Sequence, residues 1–129
     1  YHHVRKKLKA DGVFAQQSTS PVHAKEVFLL IGRTINASGL SAIPFHDNVP
    51  SFGEWGWWIG GRSERFDAET IETRLRNTER FDISTRYLTP ALLKASLTFG
   101  KNQLNTDDLE INTLTNGLAF TYYVKAWQF

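Results

Sequence analysis

The sequence has no cysteine and no methionine in 129 residues. Without cysteine there is no disulfide and no thiolate metal site. The lack of methionine, position 1 included, leads to the expectation that the chain is a processed or excised piece. No apolar run approaches the ~20 residues that a membrane-spanning helix needs. No apolar stretch follows the basic residues at the start, so no secretory leader is expected in these residues. The segment itself is therefore expected to make no membrane contact. Net charge is scarce too, at +2. Four bases gather at Arg5, Lys6, Lys7 and Lys9. One short basic helix end is an ordinary solvated face, and no nucleic-acid partner is expected from it.

Apolar residues make up 41% of the chain and aromatics 13%. That is enough apolar surface to drive collapse, which excludes a disordered class. The length fits one domain or part of one.

The punctuation of the chain gives an element order. Residues 1–9, YHHVRKKLK, read as the end of an amphipathic helix, with bases at the C-terminal end where the dipole favours them. The ADG at 10–12 stops it. A short strand follows at 13–17, VFAQQ. Ser20 is the expected N-cap of a helix over about 22–38, with Pro21 as its first residue and Gly39 as its C-terminal stop. Residues 41–49 read as an interrupted strand, with Pro44 arguing for a sheet edge or a bulge. Residues 54–61 read as its hairpin partner, with PSFG at the tip. A helix is expected at about 68–77. Thr89-Pro90 opens another that runs to about 98. A long polar connection at 101–116 leads to an aromatic closing element, GLAFTYYVKAWQF. Helix, strand, capped helix and two adjacent strands together predict an α/β class, the second half of a doubly wound sheet. In such sheets ligands gather beyond the carboxyl ends of the strands. The polar clusters Gln16–Ser20 and His46–Gly53 fall there.

The stretch VPSFGEWGWWIGG, residues 49–61, holds three of the four tryptophans and a carboxylate among few charges. An ordinary loop does not carry three indoles, and an ordinary buried strand has fewer glycines. Side chains alternate along a strand, so Trp55 and Trp57 share one face and Trp58 takes the other. Glu54 beside Trp55 suits a cation-binding wall; the plainer alternative is an exposed strand end. His46 and Asp47 are neighbours and point apart, so they form no direct dyad. His2, His3 and His23 lack ligand spacing, and no metal is expected. The serines of STS lack a GxSxG elbow, and capping explains them better than nucleophilic chemistry.

The strings LKADGVFAQQSTSP, PFHDNVPSFGEWGWWIG, RYLTPALLKASLTF and EINTLTN carry a resemblance. They resemble the C-terminal portion of polyamine aminopropyltransferases (spermidine synthases), most closely the bacterial branch with an N-terminal membrane region. The resemblance covers nearly all of the chain, and VPSFGEWG is its most specific string. It implies a Rossmann-like half-domain over 1–62 and a helical extension over 63–129. It implies a parent enzyme that moves an aminopropyl group from decarboxylated S-adenosylmethionine to putrescine, at the cytoplasmic side of the bacterial inner membrane. No cofactor of its own is expected. Gln17 falls where the family places a polyamine-contacting glutamine. Phe52 stands where the family has a tyrosine that orients the nucleophilic amine. Its ring has no hydroxyl, so the polar contact is either lost or supplied elsewhere, with Glu54, His46 and Asp47 as candidates. With Trp55 these residues make the expected substrate-binding set, and none is assigned a catalytic role.

The nucleoside-binding glycine loop, the ribose-binding acid and the aspartate-rich base motif of the family do not occur here. The segment alone is therefore expected to be inactive, with the upstream half of its own domain as partner and a homodimer as a further possibility. Two alternatives stay open: a methyltransferase-like enzyme on the same fold, and a non-catalytic polyamine-binding or dimerisation module. The physical core of the expectation is that Gln17 and the indole-rich hairpin meet, with Glu54 as the carboxylate of a cradle for a flexible dication.

Overall fold

The computed structural model describes residues 1–128. Helix α1 (His2–Lys7) leads into strand β1 (Val13–Gln17), helix α2 (Lys25–Ala37), strand β2 (Leu40–Val49) and strand β3 (Gly53–Arg62). Three short helices follow: α3 (Ala68–Arg76), α4 (Pro90–Ser96) and α5 (Leu118–Ala126). Phe129, the last residue of the aromatic closing element, lies outside the described residues.

The sheet order is β1-β3-β2, and β3 is antiparallel to both neighbours. Strands β1 and β2 therefore run parallel to each other. Parallel strands need a crossover, and α2 provides it. The crossover leaves a gap one strand wide, and the hairpin folds β3 back into it. The result is a mixed helix and strand fold with a small antiparallel sheet, compatible with the expected α/β class. The expected interruption does not occur: β2 extends unbroken through Pro44 and takes the edge alternative rather than the bulge, because an edge residue can lack its amide hydrogen.

The start of α2 differs from the sequence expectation. Ser20 Oγ accepts from the amides of Val22 and His23 at 3.2 and 3.1 Å. The Ala24 amide then donates to the Ser20 carbonyl, and the α-helix begins only at Lys25. The serine caps a preceding turn rather than the helix itself. At the other end Gly39 has φ +78°, a left-handed conformation that favours glycine. At α4 the expected cap forms: Thr89 Oγ1 accepts from Leu92 N at 3.1 Å, with Pro90 as the first helical residue.

Strand pairing sorts the side chains onto two covered faces. On one face Trp58 stacks on Phe28 of α2 with ring centroids 5.1 Å apart, and its Nε1 donates to the Phe28 carbonyl at 3.0 Å. Leu29, Ile35, Leu40 and Ala42 complete that cluster. On the other face Ile43 packs with Phe66 and Leu97, bordered by Phe45, Ile59, Ile71 and Leu93. Helices α3 and α4 cover this second face.

One segment ties the two faces together around the β2 edge. Leu97 belongs to the second cluster, and Phe99, two residues on, packs against the first. Beyond it the chain runs along α2. Lys25 Nζ donates to the Asn102 carbonyl, Arg33 to Asp108 and the Glu110 carbonyl, and the Asn112 amide to Thr34 Oγ1. The long polar connection at 101–116 is thus a strap. It blunts an edge strand that would otherwise invite intermolecular pairing.

Gly32 of α2 lies directly beneath Trp58, and a Cβ there would overlap the six-membered ring of the indole. Gly32→Ala should lower stability by about 1–3 kcal/mol through overpacking, outweighing the ~1 kcal/mol that alanine gains in a helix interior. A urea unfolding midpoint above the parent value would contradict this packing.

Candidate functional site

Cross-strand pairing decides which predicted residues share a surface. Gln17 pairs with Trp57, and Trp57 pairs on its other side with Phe45. One row closer to the hairpin tip, Trp55 pairs with Asp47. Paired residues point the same way and alternate residues share a face. Gln17, Trp57, Trp55, Phe45 and Asp47 therefore stand on one face, at the shared carboxyl ends of β1 and β2. Phe45 and Trp57 stack with centroids 5.3 Å apart and planes 13° from parallel. Trp55 Nε1 donates to the Phe52 carbonyl at 3.2 Å, and the Phe52 ring meets Trp55 edge-on at 6.4 Å. Phe52 itself is 72% exposed at the hairpin tip. The row spans two strand spacings, about 10 Å.

Glu54 lies elsewhere. It pairs with Asn48 and is an odd number of residues from Trp57, so it points to the opposite face. There its carboxylate meets His46 Nδ1. The expected meeting of Gln17 with Glu54 does not occur. The carboxylate on the Gln17 face is Asp47, and the glutamine on the Glu54 face is Gln16, whose Nε2 donates back to the Gln17 carbonyl at 2.8 Å.

His46 joins three elements. Its Nε2 lies 2.6 Å from the Thr98 carbonyl, which can only accept, so this nitrogen carries the hydrogen. Its ring packs on Phe99 at 4.4 Å. The His46–Glu54 pair thus fastens the strap to the hairpin, and both side chains are mostly enclosed by these contacts.

The Asn48 amide donates to Asp47 Oδ1 at 2.8 Å. The nearby Asp47 carboxylate, with a lesser contribution from desolvation, raises the Tyr87 pKa above its ordinary 10.0.

Two cavities lie away from these residues. One of about 500 Å³ opens between the start of α2 and α5, lined by His23, Lys25, Glu26, Asp108, Tyr122 and Lys125 among others. The other, about 330 Å³, lies under the strap between Pro44, Arg76, Phe99 and Asn102. None of the six predicted binding residues lines either. Among the described residues no group of three histidine, aspartate or glutamate side chains is placed to hold a metal ion. No described helix is long and apolar enough to cross a membrane.

No family model matches the chain. Individual proteins do. It is 37% identical over 131 residues to a polyamine aminopropyltransferase of Oceanobacillus iheyensis, covering 99% of this chain and 24% of that protein. It is 31% identical over 128 residues to a polyamine aminopropyltransferase of Shewanella oneidensis, covering 98% and 22%. It is 34% identical over 125 residues to polyamine aminopropyltransferase 2 of Aquifex aeolicus, covering 97% and 23%. Nearly the whole of this segment is thus similar to polyamine aminopropyltransferases. The chain spans about a quarter of the length of these curated relatives. Almost every described residue, strap and α5 included, therefore lies within the matched region.

The strap carries a measurable acid-range signature. Asp108 accepts from the Glu110 amide and from Arg33, and these hold its pKa below the ordinary 3.8, the amide being the largest cause. A carboxyl whose folded pKa is depressed adds stability above its unfolded value and loses it as pH falls through the folded one. Asp108→Asn should therefore flatten the loss of stability as pH falls below the ordinary 3.8. Parallel urea midpoints for the two proteins across that range would show no convergence if Asp108 were unpaired.

Proposed function

We propose that the chain is the amine-holding part of an enzyme that transfers an aminopropyl group from decarboxylated S-adenosylmethionine to putrescine. The observation that carries this reading is the strand register. It gathers two indoles, an amide and a carboxylate on one face beyond the carboxyl ends of β1 and β2. A diamine at neutral pH offers two ammonium groups and a methylene stem. The stem suits aromatic faces, the ammonium suits indole π-density and a carboxylate, and an amide oxygen accepts from the remaining N–H donors.

The transfer is a displacement at the carbon next to a sulfonium. The amine, once it has lost a proton, attacks that carbon; a C–N bond forms, the C–S bond breaks, and the sulfur leaves as a neutral thioether. Nitrogen, carbon and sulfur must be in line, so holding the amine is a catalytic contribution in itself. In this reading Gln17, Asp47, Trp55 and Trp57 bind and orient the diamine. Phe52 contributes its ring alone. The polar contact that Phe52 lacks is assigned to Asp47, while His46 and Glu54 hold the hairpin to the strap.

The finer fold assignment belongs to the same proposal. A βαβ crossover with an antiparallel strand in its gap is how one end of a Rossmann-like sheet can close. The outer edge of β1 has no partner strand among the described residues, and Val13, Ala15 and Gln17 are exposed beside it. The rest of the sheet, in the upstream part of the longer protein, would join there and bring the sulfonium substrate and the general base. Residues 1–62 then form the half-domain and 63–129 its helical extension. The membrane-attached parent at the cytoplasmic side of the inner membrane is part of this proposal.

Two measurements test it. In the full-length protein, Asp47→Asn should raise the KM for putrescine about tenfold, as expected for a lost hydrogen bond to a charged group. Glu54→Gln should lower the melting temperature and leave that KM within twofold. The reverse pattern would place the amine on the other face and sink this assignment. The isolated 129-residue chain should transfer no aminopropyl group under conditions where the full-length protein does; turnover by the segment alone would refute the division of labour.

A further inference from the structure

We propose that Thr19 is a binding residue of the amine site, held by a β-bulge in a left-handed conformation that keeps its hydroxyl available to accept from an ammonium group of the diamine. The inference rests on reading the Gln17–Asp47 face as the amine site.

Three observations carry it. First, the pairing of β1 with β3 changes character at Thr19. The regular register ends with Gln17 opposite Trp57. Beyond it the Ser18 amide donates to the Gly56 carbonyl at 2.8 Å, and the Gly56 amide donates to the Thr19 carbonyl at 2.6 Å. Ser18 and Thr19 thus stand together opposite Gly56. Two residues against one make a bulge, which breaks the alternation of side chains and re-aims one of them. This bulge lies two residues beyond Gln17, and the residue it faces sits between Trp55 and Trp57.

Second, Thr19 has φ +60°. Two other non-glycine residues share that sign, Ser51 and Asn102, and they lie in the hairpin turn and in a turn of the strap. Thr19 is the β-branched one, and a β-branched side chain is the kind least suited to left-handed backbone. Glycine would adopt this conformation at lower cost. Strain of this sort persists only where the surroundings impose it, and it gathers at ligand sites. Here the surroundings are firm. Ser18, Ser20 and Pro21 are all buried. A Cβ on Gly56 would run into Phe28 and Pro21, so strand and loop are in close contact.

Third, the three hydroxyls of STS divide. Ser18 Oγ donates to the Gln16 carbonyl at 3.0 Å, and Ser20 Oγ accepts from the amides of Val22 and His23. Local backbone therefore occupies both serines. Thr19 between them is half-buried, and among the described residues its hydroxyl has no hydrogen-bond partner. A hydroxyl oxygen carries two acceptor lone pairs, and an ammonium brings only donors. The unused acceptor is of the kind a diamine needs, and it stands beyond the carboxyl end of β1.

The test uses the full-length protein, with steady-state kinetics for putrescine and melting temperatures. Variants are Thr19→Val, Thr19→Ser, Thr19→Gly and Asp47→Asn. Valine keeps the β-branch and loses the hydroxyl, so Thr19→Val should raise the putrescine KM about tenfold with an unchanged melting temperature. Thr19→Ser keeps the hydroxyl and should leave that KM within about twofold. Thr19→Gly removes strain and hydroxyl together. It should raise the melting temperature by about 2 °C and the KM by about tenfold. A parent-like KM for Thr19→Val or Thr19→Gly overturns the proposal, and so does a Thr19→Ser variant as impaired as Thr19→Val. A Thr19→Gly melting temperature at or below that of the parent overturns it as well, because the threonine would then be a structural tie. If Asp47→Asn and Thr19→Val both leave the KM unchanged, the amine reading fails and this proposal falls with it. If Asp47→Asn is impaired while Thr19→Val is not, only the role of Thr19 fails.

Discussion

Strand β3 hydrogen-bonds along both of its edges, and its register with β1 and β2 fixes nearly everything else. Each of its side chains is committed to one face by parity, and the same parity sorts the side chains of both neighbours. A slip of one residue on either side would send Trp58 away from Phe28 and expose the core face of the sheet. The burial of Trp58, with its indole N–H satisfied by the Phe28 carbonyl, locks that register from within. Asp47, Trp55, Trp57 and Gln17 come to a common face as a consequence. The hydrophobic core thus sets the polar geometry of the site rather than merely supporting it.

The strap solves a second problem of the same sheet. β2 is ten residues long and lies at an edge, where its unpaired backbone groups would be a hazard. The chain crosses that edge between Leu97 and Phe99, using one apolar anchor on each face. His46 then joins strand, hairpin and strap through its two ring nitrogens. The local chemistry that looked site-like in this corner, a histidine beside a carboxylate, is occupied with holding the strap. The β1 edge has no comparable cover among the described residues, and this asymmetry supports the proposal that the sheet continues on that side.

Much of the element order is legible from local signals. Thr89-Pro90 marks a helix start because a hydroxyl cap and a proline each satisfy a requirement of the first turn. Gly39 marks a helix end because its backbone adopts a left-handed conformation. Alternation in EWGWWIG separates Trp58 from Trp55 and Trp57. Ser20 misleads by four residues, because a capping hydroxyl serves a turn as readily as a helix. Glu54 misleads more seriously. Its place beside Trp55 in the string is conspicuous, yet sequence neighbours on a strand are spatial opposites. The role given to Asp47 here leaves no local trace at all.

What the amino-acid order settles alone is whatever depends on residues within a turn or a strand of one another: caps, stops, alternation, and a string specific enough to mark the family. What it leaves open is the relative parity of two strands that meet only after a crossover helix and a hairpin. Nothing within β1 states whether Gln16 or Gln17 will share a face with Asp47. That choice is made when Phe28 and Trp58 pack, because only one register buries both while satisfying the indole. The tertiary structure decides which carboxylate faces the wall, since the free energy that selects the register comes from the core and not from the site.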